Sequence, residues 1–369
     1  MTVSAFHNST HFIRNRLLFS WLIWLLLMPV ISWGASNANE ARIKRVLAIH
    51  SYHRGYVWER TLEDTLDRQL HASDLKVSVF HETLDAIRFN DPAFQIKFYD
   101  YLRSKYRTAR PDLIIGTDNA AFSFLVNYRN WLFGTVPVVF AGVNGFTPEQ
   151  LLGEKNYTGV SEDPDMAETL KVALKCFPHS KRLLIYASWN QTYFTNMHIL
   201  QKAIKKIGVP LKVERKENLR ISAILDDAAK PPRDFLIVIL SRILDDKGHP
   251  MSVIRSTELI AAAAKVPVIS FWDFLLGHGI VGGKLVSAEK QATEAARMAV
   301  RILRAPPHAP LPAVLHSPNR YMFDYEQLKR FRVDLDKLPT DSVIINLPQS
   351  PWHKYRSFLT AVAVSISLR

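Results

Sequence analysis

Side chains suited to holding a small molecule recur at one kind of place in this 369-residue sequence, directly after short β-branched apolar runs. After Ile43–Ile49 come His50, Ser51, Tyr52 and His53, then Gly55, Tyr56 and Trp58. His81, Glu82 and Asp85 follow Lys76–Phe80, and Thr117, Asp118 and Asn119 follow Asp112–Gly116. Gly142, Val143 and Asn144 come after Val136–Phe140. Further along, the same positions hold Ser161-Glu162-Asp163, Trp189-Asn190, Ser241-Arg242 and Trp272-Asp273. Aromatic walls with a few placed polar groups are the composition of a ligand cleft. The candidate ligand-binding set is Ser51, Tyr52, Tyr56, Trp58, Asp85, Thr117, Asp118, Asn119, Asn144, Glu162, Trp189, Asn190, Arg242, Trp272 and Asp273.

Each position also has a structural reading. Thr117, Asp118 and Asn119 suit the cap of a following helix, a role compatible with anion binding at exposed helix amides. Tyr52, Tyr56 and Trp58 suit packing. Arg242, straight after the apolar run Phe235–Leu240, requires either a ligand carboxylate in a bidentate pair or a neighbour such as Asp245 or Asp246.

Catalytic patterns are missing. His50, His53, His81 and Glu82 lie at adjacent run ends, but without the helical spacing of a zinc protease. Gly277-His-Gly279-Ile-Val-Gly282 has the letters of a dinucleotide fingerprint, yet it lies well beyond the run Val266–Phe271 and opens no helix. There is no nucleophile elbow and no P-loop. The expectation is a binding protein with no catalytic residue, no metal and no cofactor.

The elements that position these residues alternate. Apolar runs at 43–49, 76–80, 112–116 and 136–140 are separated by amphipathic stretches at about 58–70, 93–106 and 120–131. A second series opens at Thr158-Gly-Val160. Its first helix starts at Pro164 behind Asp163 as N-cap, and its runs lie at 182–186, 211–214, 235–240 and 266–271. Helices at about 193–207, 221–229 and 253–265 separate these runs, and a final one spans 288–303 before Pro306-Pro307. Continuous apolar strands alternating with helices predict parallel strands buried on both faces. The predicted fold class is α/β, with two doubly wound parallel-sheet lobes at 43–150 and 157–283 and a crossover and return segment at 284–356. Ligands in such sheets bind outside the carboxyl ends of the strands, which is where the candidates sit.

The first 38 residues read as an export signal. Arg14 and Arg16 precede an apolar run from Leu17 to Trp33, and Ser36 and Ala38 fit the small-x-small exit of a cleavage site; an uncleaved signal anchor is the alternative. A periplasmic location follows. Cys176 is the only cysteine, so no intramolecular disulfide can form and a large core must supply stability. A hydrophobic content of 48% is sufficient. The net charge of +13 is scattered among acidic residues, and export removes nucleic acid as a partner. At the other end, Ser357–Leu368 is apolar after Trp352-His-Lys-Tyr-Arg356, a pattern matching the start of a membrane helix behind an interfacial belt. Residues 357–369 are therefore expected to be an incomplete transmembrane helix.

Several segments together resemble a known family: His50-Ser-Tyr-His-Arg-Gly-Tyr-Val-Trp58, Pro111–Ala121, Val136–Asn144, Tyr157–Glu162, Asn319–Tyr325 and Pro348–Trp352. The chain resembles the ABC-transporter substrate-binding proteins that include the TrpX-like tryptophan-binding proteins. In particular it resembles the branch serving as extracytoplasmic sensors of histidine kinases and diguanylate cyclases. The resemblance implies a type I periplasmic-binding-protein fold with a ligand between two lobes, tethering to the inner membrane, and an output domain beyond Trp352. The implied partners are a small-molecule ligand (an amino acid, carboxylate or aromatic metabolite) and either a signalling output domain or an ABC permease. A metal-dependent enzyme built on the His50/His53/His81 cluster is the weaker alternative.

Overall fold

The structure, a computed structural model, describes residues 42–89, 91–306 and 308–348. The expected export signal and the apolar run at 357–368 lie outside them.

Strands β1 (Lys44–His50), β2 (Val77–Thr83), β3 (Leu113–Thr117), β4 (Val138–Asn144) and β5 (Tyr157–Glu162) form one sheet in the order β2-β1-β3-β4-β5. A second sheet has the order β7-β6-β8-β9, from β6 (Arg182–Ala187), β7 (Lys212–Glu217), β8 (Phe235–Ile239) and β9 (Val268–Ile269). Pairings β1/β3, β3/β4 and β4/β5 are parallel, as are β6/β7, β6/β8 and β8/β9. Every residue of β3 and β8 is buried, which is why both read as unbroken apolar runs rather than alternating ones. Edge strand β7 carries Lys212, Glu214, Arg215 and Lys216 on exposed or half-exposed backbone, charges that discourage further strand pairing.

Helices α1 (Val57–His71), α2 (Pro92–Lys105) and α3 (Asp118–Phe133) connect the first strands. Asp91 caps α2, its Oδ1 accepting from the Ala93 N–H at 2.9 Å with Pro92 at the first helical position. In the second series α4 (Met166–Cys176), α5 (Gln191–Ile207), α6 (Ile221–Ala228) and α7 (Val253–Ala263) follow. The cap of α4 is Asp165, whose Oδ1 accepts from the Glu168 N–H, rather than Asp163. The Asp163 carboxylate is occupied by the Ser161 hydroxyl, so the helix begins two residues later than Pro164.

Three further features correct the sequence reading. Strand β5 does not open the second series but pairs with β4, completing the first sheet. Its parallel crossover at 145–156 contains only a 3₁₀ turn, Pro148–Leu151, so no helix-periodic stretch marks it. Next, helix α8 (Ala288–Arg304), which follows the second series in the chain, packs on α1 and on β3, β4 and β5. Buried Ala288, Ala292, Ala295, Ala296 and Ala299 give it a thin face that can approach the sheet closely. Last, a small sheet of β10 (Gly282–Leu285), β11 (Arg320–Asp324) and β12 (Val343–Ile345) was not anticipated. The chain passes between the two main sheets at 162–165, 286–288 and 315–320, and both sheets belong to one compact unit beginning at Arg45.

Candidate ligand cleft

The carboxyl ends of strands in both sheets border a cleft of about 1040 Å³. Eleven of the fifteen expected residues line it: Tyr52, Tyr56, Trp58, Asp118, Asn119 and Asn144 from the first series, then Glu162, and Trp189, Asn190, Arg242 and Trp272 from the second.

The first wall is organised around Asp118. Backbone φ here is 65°, a left-handed conformation that is costly for a non-glycine residue. It turns the carboxyl group into the cleft at the start of α3, where Oδ1 accepts from the Asn119 N–H at 2.7 Å and from the Tyr52 hydroxyl at 3.1 Å. Thr117, the residue preceding the helix, makes no capping bond through its side chain. Burial pushes Asp118 up to about 7 despite the amide donor, and negative Glu59 adds to the rise. Asn119 turns its Oδ1 to the Asn144 N–H at 2.8 Å, tying the β3 and β4 ends together. Gly142, at φ 73°, sits in the irregularity between Ala141 and Val143 that re-aims β4 so that Asn144 reaches the cleft. A Cβ on Gly142 would approach Trp58 Cζ2 at 3.3 Å.

The opposite wall centres on Glu162 and Arg242. Trp272 Nε1 donates to Glu162 Oε1 at 2.8 Å. Burial drives Glu162 up to about 8, with the charge of Asp118 raising it further and the Trp272 donor opposing the shift. Arg242 is half-buried and, among the described residues, forms no ion pair. The neighbours offered by the sequence as its partners are engaged elsewhere: Asp245 accepts the His249 N–H at 2.7 Å and Asp246 the Ser222 N–H at 3.1 Å. Trp189 is exposed, its Nε1 held by Glu217 at 3.0 Å. Asn190 caps α5 through the Tyr193 N–H at 2.7 Å.

Between the walls lies an aromatic cluster. Tyr52 meets Tyr56 edge-on at 5.4 Å, and Phe274 meets Tyr56 at 6.4 Å and Trp58 at 6.0 Å. Tyr56 feels Asp118, Glu162 and Arg242 at once, and its hydroxyl is pushed well up, chiefly by burial. Trp58 is 2% exposed, and its indole Nε1–H makes no full hydrogen bond among the described residues, though it leans on Asp118 and helps hold that carboxyl group down. It is a buried donor facing the cleft.

Four expected residues do not line the cleft. The Ser51 hydroxyl donates to the Thr117 carbonyl at 2.6 Å and accepts from the Ala121 N–H at 2.8 Å, pinning β1 to the start of α3. Thr117 donates its own hydroxyl to Glu59. Asp85, at φ 53°, accepts from Arg88 Nε at 2.6 Å, leaving Ala86 and Ile87 to reach the cleft. Asp273 begins a 3₁₀ turn with its N–H on Val286 O at 2.9 Å, and burial raises its carboxyl group. All four lie at strand ends but point into the scaffold. Conversely Phe274, Met251, Ser252 and Thr195 line the cleft unanticipated. Phe274 shares the stretch with Trp272 and was legible there; Met251 and Ser252 sit beyond an irregular loop that no periodicity marks.

The histidine grouping of the weaker, metal-enzyme alternative is not gathered as a whole. His53 lines the cleft, and Glu82 pairs with Lys105 at 2.6 Å and Tyr106 at 2.6 Å, whereas His50 and His81 do meet.

Two parallel α/β sheets bordering one polar and aromatic cleft define a two-lobed ligand-binding protein of the type I periplasmic-binding-protein class. The model of the ABC transporter substrate binding protein family matches residues 101–336, so the chain belongs to that family, whose fold is that of binding proteins rather than enzymes. Solved structures agree on the fold. An ABC domain from Streptococcus pneumonia in complex with L-Trp superposes with a TM-score of 0.59 at 14% identity, covering 82% of this chain and 100% of that one. A ligand-free, open substrate-binding protein with adhesive properties from Clostridium difficile gives 0.58 at 15% identity, covering 83% and 100%. A Caulobacter myo-inositol binding protein with myo-inositol bound gives 0.52 at 15%, covering 80% and 97%. No curated protein sequence matches the chain. Among the described residues, no helix is long and apolar enough to cross a membrane.

Proposed function

We propose that the chain is an extracytoplasmic receptor for a small zwitterion of amino-acid type with an apolar body. The observation that carries the reading is the charge layout of the cleft. Two buried carboxyl groups, Asp118 and Glu162, share it with Arg242, a guanidinium in no ion pair among the described residues, around the rings of Tyr56, Trp58 and Phe274. A ligand ammonium next to Asp118 and Glu162 would restore the charge that burial denies them. A ligand carboxylate would pair with Arg242 in bidentate fashion, and an aliphatic or aromatic body would lie on the rings. The indole N–H of Trp58, beside Asp118, is a further donor at the cleft wall. That a related fold is described in complex with L-Trp is consistent with this chemistry.

Ligand contacts from both lobes would favour their closed arrangement by differential affinity, a hinge-type response. On this reading the chain is the sensor part of a membrane signalling protein, exported to the periplasm and tethered there, in line with its resemblance to sensor domains. A substrate-binding component of an ABC importer is the second reading, favoured by the family match. A kinase or cyclase reading frame next to the gene supports the first, and a permease and ATPase pair the second. Binding itself is tested by calorimetric titration with amino acids, simple carboxylates and simple amines, on the wild type and on Arg242→Ala and Asp118→Asn. Amino acids should bind and each variant should lose at least tenfold; equal binding of the isolated carboxylate or amine would reject the zwitterion.

A further inference from the structure

Glu59, Glu63 and Asp67 stand at four-residue intervals along α1 and therefore share one face of the helix. That face lies against His50 at the end of β1 and His81 on β2. His50 Nδ1 is 2.9 Å from Glu59 Oε1, and His81 Nε2 is 3.0 Å from Asp67 Oδ1. The remaining ring nitrogens, His50 Nε2 and His81 Nδ1, are 2.9 Å apart, with the rings stacked at 13°. An ionised carboxylate only accepts, so each imidazole donates to its own carboxylate: His50 from Nδ1 and His81 from Nε2. In a neutral imidazole the other nitrogen is then a bare lone pair. Two lone pairs facing each other repel unless a cation sits between them.

Glu63 supplies the third donor, since one of its oxygens and one ring nitrogen of each histidine lie within 4.8 Å of one another. It is 8% exposed, and its Oε1 is paired with Arg54 at 2.6 Å. Arg54, shared between Glu63 and the exposed Asp64, is the cation paired with Glu63, so carboxylates outnumber cations around the two rings. We propose that His50 Nε2, His81 Nδ1 and the Glu63 carboxylate bind a divalent transition metal of the zinc type, with Glu59 and Asp67 orienting the two rings. Two histidines and a carboxylate are a common zinc donor set, and the carboxylate behind each ring is the usual outer partner of a metal-bound histidine. Tetrahedral bonds of about 2.0–2.1 Å separate the nitrogens by roughly 3.3 Å, so the rings must part by about 0.4 Å. His81, at 25% side-chain exposure, has room to do so and gives the ion a path from solvent. The spacing that signals this site runs through the carboxylates of α1, not the histidines, which is why searching for histidine ligand spacing passes over it. Glu59 also accepts the Tyr52 N–H at 3.1 Å, so the ion would fix the strand end that presents Tyr52 to the cleft.

The test uses the full chain purified without a polyhistidine tag, stripped by chelator and titrated with Zn²⁺ against a chromophoric competitor, with Co²⁺ as a spectroscopic substitute. The expected result is one Zn²⁺ per chain and the visible absorption of four- or five-coordinate Co²⁺. Affinity should fall at least tenfold in His81→Gln and in Glu63→Gln, and about 10–100-fold in Asp67→Asn. His278→Gln, which removes a histidine–carboxylate pair elsewhere (Glu258, 2.9 Å), should leave it unchanged. Far-UV circular dichroism and tryptophan fluorescence verify that each variant is folded. No stoichiometric Zn²⁺, or equal affinity in folded His81→Gln, overturns the site. So does a His50–His81 imidazolium, seen by nitrogen NMR, that Zn²⁺ does not displace; that result would assign the contact to a shared proton.

Discussion

Raising the pH from 6 to 8 should tighten binding of an amino-acid ligand, because the cleft must lose protons to accept an ammonium group. In the free protein burial holds Asp118 at about 7 and Glu162 higher, at about 8. The carboxylate form that pairs with an ammonium is therefore a minority species at pH 6. For a group at about 7, the ionised fraction rises from about one-eleventh to about ten-elevenths across this range, a gain of about tenfold or 1.4 kcal/mol. If Glu162 ionises as well, the gain is larger. Calorimetry at pH 6, 7 and 8 reads the affinity directly. Repeating the titration in buffers of different ionisation enthalpy counts the protons released, with about half a proton per chain expected at pH 7 from Asp118 alone. Asp118→Asn should flatten the profile and remove most of the proton release. An affinity that is flat, or that weakens with pH, would refute the idea that the buried carboxyl pair faces a cation. Proton uptake on binding would refute it equally.

The same carboxyl groups should make the ligand-free protein less stable as pH rises. Their folded-state values lie above the unfolded ones, so the folded chain holds extra protons between about pH 4 and 8, and stability is lost through that window. A melting temperature that falls from pH 5 to 8, and falls less in Glu162→Gln, is the expected result. Gly142→Ala should cost about 1–3 kcal/mol in denaturant unfolding, since alanine must adopt φ near 73° and its Cβ would crowd Trp58. Gln291→Leu removes the amide whose Oε1 accepts from the Gly142 N–H at 3.2 Å and whose Nε2 donates to Ser161 O at 2.8 Å. Leaving two buried backbone groups unpaired should cost about 1–3 kcal/mol for each, visible as a lower urea midpoint at unchanged slope.

Much of the fold was legible because parallel strands covered on both faces must be apolar throughout, and β3 and β8 show this without interruption. Strands without that constraint were not legible. β11 is exposed at Arg320 and half-buried at Tyr321 and Met322, and β10 begins with two glycines, so neither carries a strand pattern. The cleft was legible to the level of which strand ends supply it, since the carboxyl-end rule requires no side-chain detail. It did not distinguish Asp118 from Thr117 or Ser51. The difference lies in the positive φ at Asp118, which turns one carboxyl group outward while its neighbours bond inward. Arg242 could be singled out because a cation after a buried strand needs a partner. That Asp245 and Asp246 serve the loop backbone instead depends on the loop conformation, for which residue types give no rule.

The central claim, that a small zwitterion is held between the two lobes, is tested most directly by thermal denaturation of the purified chain with a panel of amino acids. A ligand at a hundred times its dissociation constant stabilises by about 2.7 kcal/mol. At about 2.1 cal/mol/K per residue, a fold of about 300 residues shifts by roughly 1.5 °C per kcal/mol, so the midpoint should rise by about 4 °C. The account predicts such a rise for at least one amino acid with an apolar side chain, and its loss in Arg242→Ala. No shift with any amino acid, or a shift of equal size in Arg242→Ala, would contradict it.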